Sequence, residues 1–166
     1  MLTKSAMAVL IVVALLTLPF ITAADPPMSA TVEFGQPDTG SPFPPDHDQS
    51  GHAKDRPVPR TVVISPGGTV EFRINARTHG LAIYGPGIEP EDIDSNDTIA
   101  SVAPCPPPPL IDDPNGRIAV FDQPCALGLQ TDVVTFTFNE PGRYLFICTF
   151  FPHFVDFDMF GWVNVK

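Results

Sequence analysis

The 166-residue chain has few basic residues, and this narrows the functions open to it. Nine lysines and arginines stand against 19 aspartates and glutamates, and the net charge of −10 disfavours nucleic acid and anionic lipid as partners. No Ser-His-Asp or paired-carboxylate arrangement stands out, so the sequence makes no case for an enzyme. Beyond the N-terminus, no segment is long and apolar enough to cross a membrane.

Residues 1–24 have the layout of a secretory signal peptide. Lys4 precedes an apolar run at 6–18, and small residues end the segment at Ala24. We expect cleavage after Ala24, which predicts a secreted or periplasmic protein without a membrane span. The alternative is a segment retained as a membrane anchor.

Three cysteines in an exported chain leave one thiol unpaired. Cys105 and Cys125 flank one loop and are predicted to pair in an oxidising compartment, at a gain of about 3 kcal/mol in stability. Cys148 is then free at the end of an apolar strand. It is either a metal ligand or a small buried hydrophobic residue.

Short alternating or β-branched runs separated by turns dominate the rest of the chain, with almost no helix signal. Pro66-Gly67-Gly68 joins two of these runs and is typical of a tight turn. The pattern predicts an all-β, antiparallel β-sandwich with Greek-key connections. The clearest strands are 29–34, 60–65, 69–74, 132–138 and 143–148.

Two irregular segments interrupt the strands. Residues 35–59 are rich in Pro, Asp, Gly and Ser and predict a loop, in which His47 and His52 are solvated rather than bound to an adventitious metal. Residues 85–130 predict an excursion beside the sandwich, with one short helical turn and a strand at 116–121.

Domain boundaries follow from these segments. After the signal peptide, residues 25–58 comprise an N-terminal strand and the proline-rich loop. Residues 59–166 form the predicted metal-binding domain.

The C-terminal stretch carries the chemistry, in the pattern Cys148-x4-His153-x5-Met159. Thiolate, imidazole and thioether are the soft and borderline ligands that copper prefers. A second imidazole is expected from upstream, and His79, after the strand at 69–74, is the best candidate. A core or capping role is the alternative for His79.

These motifs resemble those of the cupredoxins, small blue copper proteins of the plastocyanin/azurin type, over about residues 59–84 and 131–166. The resemblance implies one type 1 copper that alternates between Cu(I) and Cu(II), bound by His79, Cys148 and His153 with Met159 in the axial position. It also implies an electron carrier rather than an enzyme.

Further expectations concern the surroundings of the ligands. The backbone N–H of Thr149 is predicted to donate to the Cys148 sulfur, and Asn75 and Thr78 to steady His79. Apolar side chains predict a dry site with a fairly high reduction potential. They are Phe150, Phe151, Pro152, Phe154, Phe157 and Phe160.

The resemblance to the cupredoxins also implies a surface for electron exchange on the same loop. Phe151, Phe154 and Val155 are expected to form a partly exposed apolar patch near His153, the alternative being that they are core residues. The acidic charge is compatible with a basic or cytochrome-like redox partner of a monomeric protein.

Two other functions stay open at this point. One is a copper-trafficking protein that holds copper for delivery, which the soft ligands permit. The other is a metal-free module for adhesion or assembly, against which the presence of all four ligand types argues.

Overall fold

The computed structural model describes residues 24–35, 56–74, 79–100, 109–121 and 132–166. Its strands are β1 (Ser29–Phe34), β2 (Pro57–Val58), β3 (Thr61–Ile64), β4 (Gly68–Ile74), β5 (Leu81–Pro86), β6 (Thr98–Ile99), β7 (Leu110–Ile111), β8 (Arg117–Phe121), β9 (Asp132–Phe138), β10 (Gly142–Cys148) and β11 (Phe160–Val165). A five-residue helix, α1 (Phe151–Val155), separates β10 from β11, and a 3-10 turn spans Pro90–Asp92.

Two sheets pack face to face, and the prediction of an all-β sandwich is confirmed. The smaller sheet has the order β2-β1-β4-β9 and the larger β3-β11-β10-β5-β8, while β6 and β7 form a separate pair. β1 runs parallel to β4 and β3 runs parallel to β11, so both sheets are mixed where antiparallel pairing was predicted. Side-chain alternation decides which face a residue takes, whereas strand direction depends on the connections.

The core between the sheets follows from this alternation. Val70, Phe72 and Ile74 of β4 are fully buried, and the Phe72 ring meets that of Phe146 on β10 edge-on at 5.1 Å. Burial of each such side chain stabilises the fold by about 1.5–3 kcal/mol. The predicted turn before β4 is confirmed, with Gly67 at φ 79°.

The segment between β5 and β8, called the lobe (described residues 87–100 and 109–116), covers the outer face of the larger sheet. Ile93 and Ile111 of the lobe pack against side chains of β5 and β10. β10 is therefore buried on both faces, which explains its continuous apolar sequence. The predicted helical turn and the strand at 116–121 are both confirmed, as Pro90–Asp92 and β8.

A buried carboxylate joins the two parts of the lobe. Asp113 is fully buried, and its side chain accepts the backbone N–H of Asp94 at 3.0 Å and that of Asn115 at 2.8 Å. Backbone donors stabilise the buried carboxylate, so it holds the lobe in shape.

Several predictions concern residues that lie outside the described ranges. The predicted signal peptide lies outside the described residues up to position 23, and within the described ranges no helix is long and apolar enough to cross a membrane. Six residues singled out in the sequence also lie outside those ranges: His47, His52, Asn75, Thr78, Cys105 and Cys125. The predicted disulfide and the roles of these histidines therefore stay predictions.

Candidate metal centre

The pairing of β5 with β10 brings His79 to Cys148. The two strands are antiparallel, with Leu81 opposite Cys148, the last residue of β10. His79 lies just before β5, so it reaches the same end of the sheet, and its Nδ1 lies 3.7 Å from the Cys148 Sγ. The upstream histidine predicted from the sequence is thus placed by strand register.

Helix α1 places the second histidine. Pro152, in its first turn, favours the start of a helix, and the N–H of His153 donates to the Phe150 carbonyl oxygen at 3.0 Å. The imidazole stacks on the Phe150 ring at a centroid distance of 5.6 Å. In this position the His153 Nδ1 lies 3.5 Å from the Cys148 Sγ.

Met159 is tied to the other two residues of the loop by its backbone. Its N–H donates to the His153 carbonyl oxygen, and its carbonyl oxygen accepts the Cys148 N–H, both at 2.9 Å. Asp158 adopts a left-handed φ of 51° immediately before it, which turns the chain into β11. The Met159 side chain is fully buried in the apolar cluster that contains Cys148.

The three nitrogen and sulfur donors form a compact, nearly dry triangle. The Nδ1 atoms of His79 and His153 are 3.1 Å apart, and exposure is 1% for His79, 0% for Cys148 and 9% for His153. Two neutral imidazoles facing each other need a proton or a cation between their lone pairs. The triangle is the one group of at least three His, Cys, Asp or Glu donors in the described ranges with metal-binding spacing.

The dimensions of the triangle fit one ion. Metal–nitrogen bonds of about 2.0 Å and metal–sulfur bonds of about 2.3 Å, at 120° around an ion, require about 3.5 Å between the nitrogens and about 3.7 Å from nitrogen to sulfur. The observed edges to the sulfur, 3.7 and 3.5 Å, agree with this to within about 0.2 Å, and the edge between the nitrogens, 3.1 Å, is about 0.4 Å shorter. With the thioether of Met159 nearby, the donor set fits one type 1 copper site.

No family model and no curated protein matches the chain. Among solved structures, the "blue" copper protein auracyanin A from the green thermophilic photosynthetic bacterium Chloroflexus aurantiacus is 23% identical over 84% of this chain and 99% of that chain, with a TM-score of 0.49. Dithionite-reduced auracyanin from Roseiflexus castenholzii is 23% identical over 68% and 88%, with a TM-score of 0.47. A purple cupredoxin from Nitrosopumilus maritimus is 21% identical over 82% and 99%, with a TM-score of 0.39. All three matches have identities below 25% and TM-scores below 0.5.

The protonation state of His79 suits a ligand. Burial, and to a smaller extent the neighbouring His153, lower the pKa of His79 from 6.5 to about 3. A metal binds the neutral imidazole, so no proton has to leave His79 at neutral pH.

The lobe clamps the loop that carries the ligands. The Ile111 N–H donates to the Thr149 carbonyl oxygen at 2.7 Å, and the Phe151 N–H donates to the Pro109 carbonyl oxygen at 3.2 Å. The Thr149 N–H, which the sequence assigned to the Cys148 sulfur, instead donates to the Gly80 carbonyl oxygen at 2.9 Å. This bond ties the cysteine loop to the segment that carries His79.

Arg60 holds the other side of the loop. Its Nε donates to the Phe160 carbonyl oxygen at 3.0 Å and its Nη2 to the Asp158 carbonyl oxygen at 3.2 Å. These carbonyls flank Met159, and the guanidinium also lies 4.2 Å from the Phe160 ring centroid. No sequence pattern pointed to Arg60, because it lies about a hundred positions from its acceptors.

The predicted apolar patch is only partly present. Val155 is 41% exposed and Phe151 is half-buried, but Phe154 is 7% exposed and packs under the lobe. Phe154 is therefore a core residue, because the lobe covers the face of α1 to which it points. This cover was not visible in the loop's sequence.

Proposed function

We propose that the protein is an electron carrier that holds one type 1 copper through the Nδ1 atoms of His79 and His153 and the thiolate of Cys148. Met159 would add a thioether donor from the same loop. The buried triangle of donors, with edges of 3.1, 3.7 and 3.5 Å, carries the proposal. Bound copper supplies one-electron chemistry by alternating between Cu(I) and Cu(II).

The chain's own contribution is to fix the donors and exclude water. Because the loop is tied by the lobe, by Arg60 and by its own backbone, the donors have little freedom to rearrange between oxidation states. The apolar surroundings disfavour the extra positive charge of the oxidised ion. We therefore expect a fairly high reduction potential.

Burial also separates this function from copper delivery. A delivery site must pass its ion to a partner, which favours exposed ligands, whereas His79 and Cys148 are at most 1% exposed. Retention of the ion and exchange of electrons through the edge of His153, 9% exposed, suit the observed geometry better.

Location and partners complete the proposal. The N-terminal sequence supports export, so the carrier works in a secreted or periplasmic setting. The net charge of −10 favours encounter with a redox protein that has a basic surface.

Protein-film voltammetry of the copper-loaded chain tests the proposal. We expect a reversible one-electron wave that disappears when copper is removed and returns when it is restored. Absence of the wave, together with rapid transfer of the copper to a Cu(I) chelator, would contradict an electron carrier and favour delivery.

A further inference from the structure

A groove lies between the 3-10 turn of the lobe and the segment from α1 to β11, beside the proposed copper centre. Its floor is apolar and its lip is acidic. Ile93, Phe154, Val155 and Phe160 line the floor, and Glu91 and Asp158 stand at the lip.

The groove adjoins the proposed centre through α1. This short helix carries His153 toward the other donors, and its next two residues, Phe154 and Val155, line the groove. Val155 is 41% exposed, so the groove offers apolar surface to a side chain of a partner protein. A group bound there contacts the helix that carries His153.

The charges around the groove favour a cation. Glu91, Asp156 and Asp158 are exposed, and none of them takes part in an ion pair within the described part of the chain. Among the described basic side chains, Arg60 contacts Phe160 in the lining of the groove, and it donates to two backbone carbonyls.

The other basic side chain near the turn is already neutralised. Arg143 forms an ion pair of 2.7 Å with Glu89, just before the 3-10 turn. Carboxylates without ionic partners therefore dominate the lip.

We propose that this groove is the docking point for a lysine side chain of a basic redox partner. The methylene stem of a lysine packs on apolar surface while its ammonium binds carboxylates. The exposed side chain of Val155 offers the apolar surface, and Glu91 and Asp158 offer the carboxylates. The inference rests on the proposed electron-carrier function. It gives the lobe a role in docking a partner, because the lobe supplies Glu91 and Ile93 to the groove.

Titration with a tetralysine peptide, followed by backbone amide NMR, tests the groove. In copper-loaded, reduced protein we expect saturable amide shifts centred on residues 91–95 and 154–160, abolished by high salt. Glu91→Gln should weaken binding about two- to fivefold, the range of one exposed ion pair.

Glu140→Gln is the matched control. Glu140 is an exposed carboxylate before the start of β10, at the far end of the strand from Cys148, and only its backbone oxygen accepts a bond from Tyr144. Equal weakening by both variants, or shifts spread over the whole acidic surface, would overturn the proposal.

A kinetic arm links the groove to electron transfer. The reduced protein passes one electron to the ferric haem of cytochrome c, a lysine-rich protein, so Cu(I) is oxidised as Fe(III) is reduced. Glu91→Gln should slow this reaction about two- to fivefold at low salt and leave reduction of the ferricyanide anion at least as fast. Equal slowing with both oxidants would overturn docking at the groove.

The two proposals fail in different ways. The peptide titration can be repeated on copper-free protein, so the groove is measurable even if the chain carries no electrons. Normal electron transfer without peptide binding at the groove counts against docking alone, whereas loss of redox activity in every variant counts against the function.

Discussion

The four proposed ligands are held in two different ways. Cys148, His153 and Met159 share one loop whose backbone is cross-tied by hydrogen bonds of 2.9 Å through Met159. His79 instead comes from about seventy positions upstream and meets Cys148 only because β5 pairs with β10.

This difference separates the local from the long-range part of the site. The loop is a contiguous unit that outside clamps, the lobe and Arg60, keep in place. His79 depends on the sandwich itself, and the Thr149–Gly80 bond joins the two parts. Perturbing the clamps should therefore disturb the loop ligands, while perturbing the electrostatics of the buried imidazole should act through His79.

The largest effect is expected from breaking the lobe's clamp. Ile111→Pro removes the N–H that donates to Thr149 and leaves a buried carbonyl without that donor. We expect a loss of about 3 kcal/mol in the free energy of unfolding and an altered Cu(II) spectrum. Ile111→Val keeps the N–H and should cost about 1 kcal/mol with an unchanged spectrum, as measured by urea unfolding and absorption. Identical spectra for both variants would show that the clamp does not position the loop.

The second-largest effect is the loss of stability at low pH that His79 causes in the copper-free protein. The pKa of His79 is about 3 in the folded chain and 6.5 when exposed, so between these two pH values mainly the unfolded chain takes up the proton. Stability is full above pH 6.5 and falls as the pH drops, by about 2 kcal/mol at pH 5. Urea unfolding at several pH values measures this loss, and His79→Gln should flatten the profile in that range. An unchanged profile in the variant would contradict a neutral, buried His79.

Met159→Leu tests whether the thioether of Met159 is a copper ligand. Leucine keeps the apolar volume but removes the thioether, which stabilises Cu(II) more than Cu(I). The blue colour should persist while the reduction potential rises, by about 59 mV for each tenfold change in relative affinity. Voltammetry checks the shift, and a potential equal to that of the wild type would show that Met159 is not a ligand.

The smallest effect concerns the second clamp. Arg60→Met removes the two bonds to the carbonyls that flank Met159, at a cost of about 1 kcal/mol, and should broaden or shift the Cu(II) signals. Arg143→Met is the control, because Arg143 also stacks on an aromatic ring, that of Trp162 at 4.2 Å, without touching the loop. Equal spectral changes in both variants would reduce the role of Arg60 to general stability.

The sequence predicted those parts of the molecule that local patterns encode. Strand alternation indicated the sandwich, and the spacing of Cys148, His153 and Met159 indicated the loop site. The parallel pairing of β1 with β4 and the burial of Phe154 depend on contacts between distant parts of the chain. The alternation of apolar and polar residues does not predict such contacts. Arg60 was missed for the same reason, since its acceptors are backbone carbonyls that every residue possesses.

The proposed copper site depends most on the Cys148 thiolate, and the visible and EPR spectra of the copper-loaded protein test this ligand most directly. After one equivalent of Cu(II), we expect an intense blue band and a narrow copper hyperfine splitting, both lost in Cys148→Ser. A pale, ordinary Cu(II) spectrum that the substitution leaves unchanged would contradict a type 1 centre at His79, Cys148 and His153.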